Sequence, residues 1–347
     1  MNAPRILLIL AVVAAGCGAP AKRFNPASTA PLTMTGIGAA ETINPAWLKP
    51  STAPYRLGPG DRIEIELLGQ GDDTTKALVG PDGRIYFQLL PGLSVWGLTL
   101  QETRQLLERE MSHYIRNPRV SITLREVRSR RIWVLGRLNT PGVYAMDQPL
   151  TVLDAITRAG GLYSARFTGT TEELADLQHS FVMRRGRLLP VNFKKLVHQG
   201  DTSQNIYLEP DDFVYLPSAL STEVYVLGAV TRPRAISFKD EVTLSSAISS
   251  AQGFQPQAHI GGIVVVRGSL TEPSYAVVDY LKVLTGKAPD IRLQPHDIVY
   301  VPDRPFLQLE KIAALVVNTF VRTLAANEGL RAGGGVSGVQ VNIPVAP

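Results

Sequence analysis

Polar and apolar positions alternate from Arg62 to Leu67 (Arg-Ile-Glu-Ile-Glu-Leu), a period of two that predicts a half-buried strand. Pro81-Asp82-Gly83 supplies a turn, and Arg84 to Leu89 predicts a second strand. Thr99 followed by Glu102 has the spacing of a capping box, so a helix is expected from about Leu100 to Tyr114, ended by Asn117-Pro118. Alternation returns at Val120 to Leu124. Residues 55–126 therefore read as one small domain in the order strand, strand, helix, strand. Residues 17–54 precede it with Pro20, Pro26, Pro31, Pro45, Pro50 and Pro54 among small residues and no sustained apolar period, the character of an extended tether.

The next part of the chain repeats itself. Val134-Leu135-Gly136 returns as Val226-Leu227-Gly228, Pro141 as Pro233, Thr151 as Thr243, Ala155-Ile156 as Ala247-Ile248 and Gly161 as Gly253, all at one constant offset. At a second offset, Leu208-x-Pro210-x-Asp212-x-Val214-Tyr215-x-Pro217 returns as Leu293-x-Pro295-x-Asp297-x-Val299-Tyr300-x-Pro302. Leu57-x-Pro59-x-Asp61 echoes the same turn. Pro fixes one backbone angle and Asp can accept from neighbouring amides, so Asp61, Asp212 and Asp297 are expected to hold the turn into a strand. Each repeat, 131–217 and 223–302, reads as a small mixed sheet with a hairpin ending near Tyr144 and a short helix from about Thr151 to Ala159.

From 306 to 327 the period changes. At 100° per residue, Leu309, Ile312, Ala313, Val316, Val317, Phe320, Val321 and Leu324 share one broad face, and Lys311, Asn318, Thr319 and Arg322 fall on the other. This predicts an amphipathic helix of ~33 Å. Lone in lipid, it would leave Asn318 and Arg322 unsolvated, and a ring of copies is one arrangement that would solvate them. In such a ring Lys311, Asn318 and Arg322 would line water, while Val316, Phe320 and Leu324 would meet lipid or neighbours. Residues 328–347 form a Gly-rich tail.

Composition adds less. The 347 residues carry a formal net charge of +5 and no run of five like charges, which points away from nucleic acid. The N-terminus is more informative. Arg5, the apolar stretch Ile6 to Val13 and small Ala14-Ala15-Gly16 before Cys17 form a secretory signal over 1–16, too short to span a bilayer. Its ending resembles the lipobox of bacterial lipoproteins, with Ala14 where Leu is usual. Cys17 is the single cysteine, so no internal disulfide is available, and lipidation of Cys17 accounts for it. Gly18 in place of Asp favours the outer membrane by the same resemblance.

No catalytic constellation appears. The histidines at 113, 179, 198, 259 and 296 are not spaced as metal ligands, and neither Gly-x-Ser-x-Gly nor a P-loop occurs. Gly333-x-Gly335-x-x-Gly338 follows a helix instead of a strand and reads as linker. Asp72-Asp73 and Asp211-Asp212 sit in turn-like contexts. Arg125, Arg128, Arg130 and Arg131 read as a solvated strand face or an inter-subunit salt bridge, with an anion or polysaccharide contact as the alternative. The chain is thus expected to have no catalytic residue, metal or cofactor.

Val79-Gly-Pro-Asp-Gly-Arg-Ile85, Leu98-Thr-Leu-x-Glu102 and Tyr114-Ile-x-Asn-Pro-x-Val120 resemble the polysaccharide export domain of Wza-like outer-membrane lipoproteins. Leu150-Thr-x-Leu-Asp-Ala-Ile156 with Ala159-Gly-Gly161 resembles the soluble-ligand-binding β-grasp (SLBB) domain found twice in that family. The second copy departs at Gln252-Gly253 and at Arg234. The resemblance implies an α+β chain: an export domain, two β-grasp-like repeats and a C-terminal amphipathic transmembrane helix. It further implies a homo-oligomeric, octamer-like ring in the outer membrane with most of its mass in the periplasm. The implied partners are an inner-membrane polysaccharide co-polymerase and the exported capsular or extracellular polysaccharide. A periplasmic glycan- or partner-binding lipoprotein that forms no pore is the alternative, its helix docked on protein; an enzyme acting on the glycan is a third reading that no motif supports.

Overall fold

The computed structural model describes residues 29–36, 42–68, 74–88, 90–167, 170–238, 241–305 and 309–332. The signal-like segment, Cys17, the Asp72-Asp73 pair and the stretch from 333 onward lie outside them, as do the side chain and surroundings of Lys311. The chain divides into two compact units: one holds the second repeat with residues 29–35, the other the first domain, the first repeat and the terminal helix.

The first domain contains β1 (Arg62–Leu67), β2 (Thr74–Leu78), β3 (Arg84–Phe87), β4 (Leu90–Ser94), α1 (Leu100–Met111) and β5 (Val120–Glu126). β1 lies between β2 and β5, antiparallel to both, while β3 and β4 pair as a separate ribbon. The alternation in β1 is the cause of its placement: Ile63, Ile65 and Leu67 are buried and the charged residues between them are not. Thr99 and Glu102 form the expected capping box, and Thr103, Leu107 and Met111 put one buried row of α1 against the sheet. The helix stops at Met111, one turn short of the expected end. Two strands were not foreseen. Of β2 only Ala77 is buried, so it has little apolar signal, and β4 carries Pro91 and Gly92, which read as breakers.

The first repeat comprises β6 (Arg131–Gly136), β7 (Gly142–Ala145), α2 (Val152–Arg158), β8 (Ser164–Phe167), β9 (Thr170–Glu173), β10 (Phe181–Arg184), β11 (Arg187–Leu189), α3 (Phe193–His198) and β12 (Phe213–Leu216). The sheet runs β11-β10-β12-β6-β7, with β12 parallel to β6 and the other pairs antiparallel. The second repeat comprises β13 (Glu223–Gly228), β14 (Arg234–Ser237), α4 (Leu244–Ser250), β15 (Ile263–Gly268), β16 (Pro273–Val278), α5 (Tyr280–Leu284) and β17 (Ile298–Val301). Five strands of its sheet run β14-β13-β17-β15-β16, with β17 parallel to β13. Each repeat is therefore two hairpins joined through its last strand, with a capping-box helix packed on one face. In the first, Val134, Ala155, Ile156 and Val214 share a core; in the second, Val226, Ala247, Ile248 and Val299 take the same places. The sequence repeat is thus a structural one.

The chain ends its described part in α6 (Leu309–Ala332), longer at its C-terminal end than the 306–327 expected.

Candidate functional site

Three copies of one turn organise the domains. In Gly58-Pro59-Gly60-Asp61, Glu209-Pro210-Asp211-Asp212 and Gln294-Pro295-His296-Asp297 the third residue is left-handed, with φ of 91°, 67° and 68°. The Asp amide donates back to the first carbonyl at 3.2, 3.1 and 3.1 Å. The Asp carboxylate in turn accepts from the first residue's amide at 2.9, 2.8 and 2.7 Å. All three carboxylates are buried.

Their remaining lone pairs are satisfied differently. Asp61 accepts from the Arg128 and Ser129 amides and the Ser129 hydroxyl, each at 2.9 Å, and from the Tyr55 hydroxyl at 2.6 Å. It thereby ties the start of the first domain to the junction with the first repeat. Asp212 accepts instead from Arg184, through Nε at 3.0 and 3.1 Å and through a terminal nitrogen at 2.7 Å. Asp297 accepts from Arg267 at 2.7 Å through each of two nitrogens. Neither Arg184 nor Arg267 was expected as a partner of these carboxylates. The available signal was that both close an apolar strand, Phe181-Val-Met-Arg184 and Val264-Val-Val-Arg267, where a cation inside a sheet needs a carboxylate.

Burial raises the Asp61 carboxyl, but Tyr55 and the three amides outweigh it and hold the group below the usual carboxylate range. The Tyr55 hydroxyl is pushed up to about 12 by its own burial and by donating to Asp61. The sign for stability follows. Asp61 binds a proton more weakly in the folded chain, so its contribution is present above the unfolded value and is lost as pH falls through the folded one. We expect Asp61→Asn to lower stability by roughly 2–3 kcal/mol at neutral pH, because an amide cannot serve so many donors. The gap between wild type and variant should close as acid protonates Asp61. Urea midpoints of both from pH 7 downward test this, and a gap that widens in acid would refute it.

Helix α6 settles on protein. Val316, Val317, Phe320, Val321 and Ala325 are buried, and Leu324 is half-buried. Asn318 accepts from the Leu188 amide through Oδ1 at 3.2 Å, and Arg322 donates through Nε to the Gly186 carbonyl at 2.8 Å. Both partners belong to the β10–β11 hairpin. In the single chain, then, Val316 and Phe320 lie against protein, and Asn318 and Arg322 are bonded to the hairpin. Among the described residues no helix is long and apolar enough to cross a membrane. The physical reason lies in the pattern. Asn318, Thr319, Arg322 and Thr323 dilute the apolar content, and in a single chain the apolar face has no lipid or neighbouring helix to meet. It therefore packs on the fold, and its polar residues take up free backbone groups at the hairpin tip.

The arginine cluster is consumed within the chain. Arg125 donates twice to Glu64, at 3.0 and 2.7 Å, Arg128 meets Glu126 at 3.0 Å, and Arg130 lies 4.5 Å from the centre of the Tyr55 ring. Among the histidines, His179 pairs with Asp176 at 2.5 Å and His198 with Glu173 at 3.0 Å.

Two family models match the chain. One, described as polysaccharide biosynthesis/export protein, matches residues 49–125. The other, the SLBB domain, matches twice, over 130–216 and 222–301. The chain is 26% identical to the EPS I polysaccharide export outer membrane protein EpsA of Ralstonia nicotianae, over 92% of this chain and 95% of that protein. It is also 26% identical to the protein of the same name from Ralstonia solanacearum, over 82% and 81% respectively.

Proposed function

Because the chain belongs to the Wza-like family of polysaccharide export proteins, we propose that it acts in the outer membrane as the subunit of an oligomeric channel for a capsular or extracellular polysaccharide. The observation that carries this reading is one of extent. An export domain, two β-grasp repeats and a terminal amphipathic helix follow one another in a chain that spans 95% of a relative named for polysaccharide export at the outer membrane. Mechanism is then passage through a hydrated lumen with few tight contacts, and no bond is made or broken. Acylation of Cys17 anchors the periplasmic mass, and an inner-membrane co-polymerase delivers the glycan. In the assembled ring, α6 leaves the β10–β11 hairpin. Lys311, Asn318 and Arg322 turn to water, and Val316, Phe320 and Leu324 turn to lipid or to neighbouring helices.

The docked helix favours a second reading, a periplasmic glycan- or partner-binding lipoprotein whose helix never leaves the fold. One experiment separates the two. Detergent-extracted, palmitate-labelled protein is imaged in projection, and Asn318→Cys is probed in intact cells with a membrane-impermeant thiol reagent. We expect rings with a central cavity, labelled palmitate lost in Cys17→Ser, and modification of residue 318 from outside. Single particles without a cavity, with residue 318 protected, would establish the second reading.

A further inference from the structure

We propose that Tyr86 and Trp96 form a platform on the first domain on which the pyranose rings of the exported glycan stack. This inference rests on the export reading and adds to it where the sugar touches the protein. Tyr86 and Trp96 are 67% and 65% exposed, among the most exposed large side chains of the described residues, and both lie on the β3–β4 ribbon or directly after it. Alternation explains the exposure. Ile85, Phe87, Leu93 and Val95 point into the core, so Arg84, Tyr86, Ser94 and Trp96 share the outward face.

The rings do not stand free. A Cβ built on Gly92 would fall 2.7 Å from Cε1 and 3.0 Å from Cζ of Tyr86. One built on Gly83 would fall 2.6 Å from Cβ and 3.2 Å from Cε3 of Trp96. Each ring is thus pressed against the one residue type that lets it come so near the backbone, leaving its remaining surface to solvent. The Val95 and Trp96 amides both donate to the Gly83 carbonyl, at 2.9 and 3.1 Å, which fixes where the indole starts. The rings are therefore held before any ligand arrives, so little conformational entropy is left to lose on binding.

Polar groups surround them. Register places Arg84 opposite Ser94, between the two aromatics along the ribbon. Asp82 accepts from the Arg84 amide at 3.1 Å, and the Tyr86 hydroxyl lies 3.5 Å from its other oxygen. The Tyr86 hydroxyl reaches Asp82, the neighbour of the Gly83 against which Trp96 packs, so one extended glycan can touch both rings. A sugar presents apolar C–H faces rimmed by hydroxyls, and this face presents aromatic rings rimmed by a carboxylate, a guanidinium and a hydroxyl. A protein partner fits less well. Two aromatic side chains of roughly 200 Å² each, about two-thirds exposed, offer far less than the ~800 Å² per partner of a stable interface. Contacts of this size are also weak enough for a chain to slide past.

The test is photocrosslinking in cells that make the polysaccharide, using full-length protein with Tyr86 or Trp96 replaced by p-benzoylphenylalanine. We expect carbohydrate-bearing adducts at both positions that vanish when polysaccharide synthesis is blocked. Adducts joining two copies of this chain would overturn the proposal and make the face a subunit contact; absence of any synthesis-dependent adduct would also overturn it. As a second measurement, Tyr86→Ala/Trp96→Ala should lower surface polysaccharide at least tenfold, and Tyr86→Phe/Trp96→Phe should restore most of it. Full export by the alanine pair would count against the platform. Loss of rings from the wild type would instead fault the channel reading, and glycan adducts at 86 and 96 would stand without it.

Discussion

Gly136→Ala and Gly228→Ala should each destabilise their own repeat by roughly 3–5 kcal/mol, enough to unfold a domain of ordinary margin. These glycines end the Val-Leu-Gly motif that first exposed the repeat. Gly136 closes β6 at φ 105°, and an added Cβ would lie 2.0 Å from the carbonyl oxygen of Leu216. Gly228 closes β13 at φ 86°, with the Val301 oxygen at 2.1 Å. No side chain can swing aside, because the obstacle is the backbone of the parallel partner strand. That carbonyl is also engaged: the Arg137 amide donates to Leu216 and the Ala229 amide to Val301, each at 2.7 Å. An alanine must therefore part the parallel pair that joins the two hairpins, and it sits in a left-handed conformation costing a further ~1–2 kcal/mol. Denaturant titration of the full chain, followed by proteolysis to locate the loosened repeat, measures the effect. A midpoint within error of wild type would mean the two strands do not meet as described.

How far the sequence revealed this architecture depends on where each signal resides. β1 and the start of α1 were legible because their determinants are local: alternation in Arg62–Leu67 and the side chains of Thr99 and Glu102. The Leu-x-Pro-x-Asp turn was legible three times over for the same reason. Its partners were not, since Arg184 and Arg267 lie well before the carboxylates they serve and nothing local links them. Helices α3 and α5 escaped notice because they are too short to develop a period, and β4 because it contains Pro91 and Gly92.

Helix α6 is a different case. Its existence and amphipathic face were legible, but an apolar face does not say what covers it. Periodicity alone fits a membrane ring and a docked helix equally well. The bonds of Asn318 and Arg322 to the β10–β11 hairpin show which arrangement the single chain adopts. The Tyr86–Trp96 face was missed for an opposite reason: exposed aromatics in alternation with core residues look like ordinary strand residues until the fold shows which side faces out.

The other large effect is expected at the buried ion pairs. Arg184→Met should cost about 3–5 kcal/mol at neutral pH, because it strands a buried carboxylate. Asp212 is only 1% exposed and Arg184 9%, so water cannot take the place of the guanidinium. Arg184 also donates to the Tyr207 carbonyl at 2.8 Å and to Glu209 at 2.9 Å, and those acceptors lose a partner as well. Arg267→Met should follow the same course with a smaller loss, since Arg267 is 18% exposed and water can enter the space it leaves, although Asp297 itself is fully buried. Burial pushes the Asp212 carboxyl above its usual range even with Arg184 and the Glu209 amide opposing it, and removing Arg184 removes the main opposition. The sign is then opposite to that of Asp61. The folded variant holds the Asp212 proton more tightly than the unfolded chain, so its deficit relative to wild type should shrink as pH falls through the raised folded value. Arg184→Met/Asp212→Leu should recover part of the loss, because no buried charge remains, although the Glu209 amide is left without its acceptor. Urea midpoints of the wild type, both single variants and the double variant, taken at neutral and mildly acidic pH, close the cycle. A double variant as unstable as the sum of the singles would show that Arg184 and Asp212 act independently and that the pair does not hold the turn.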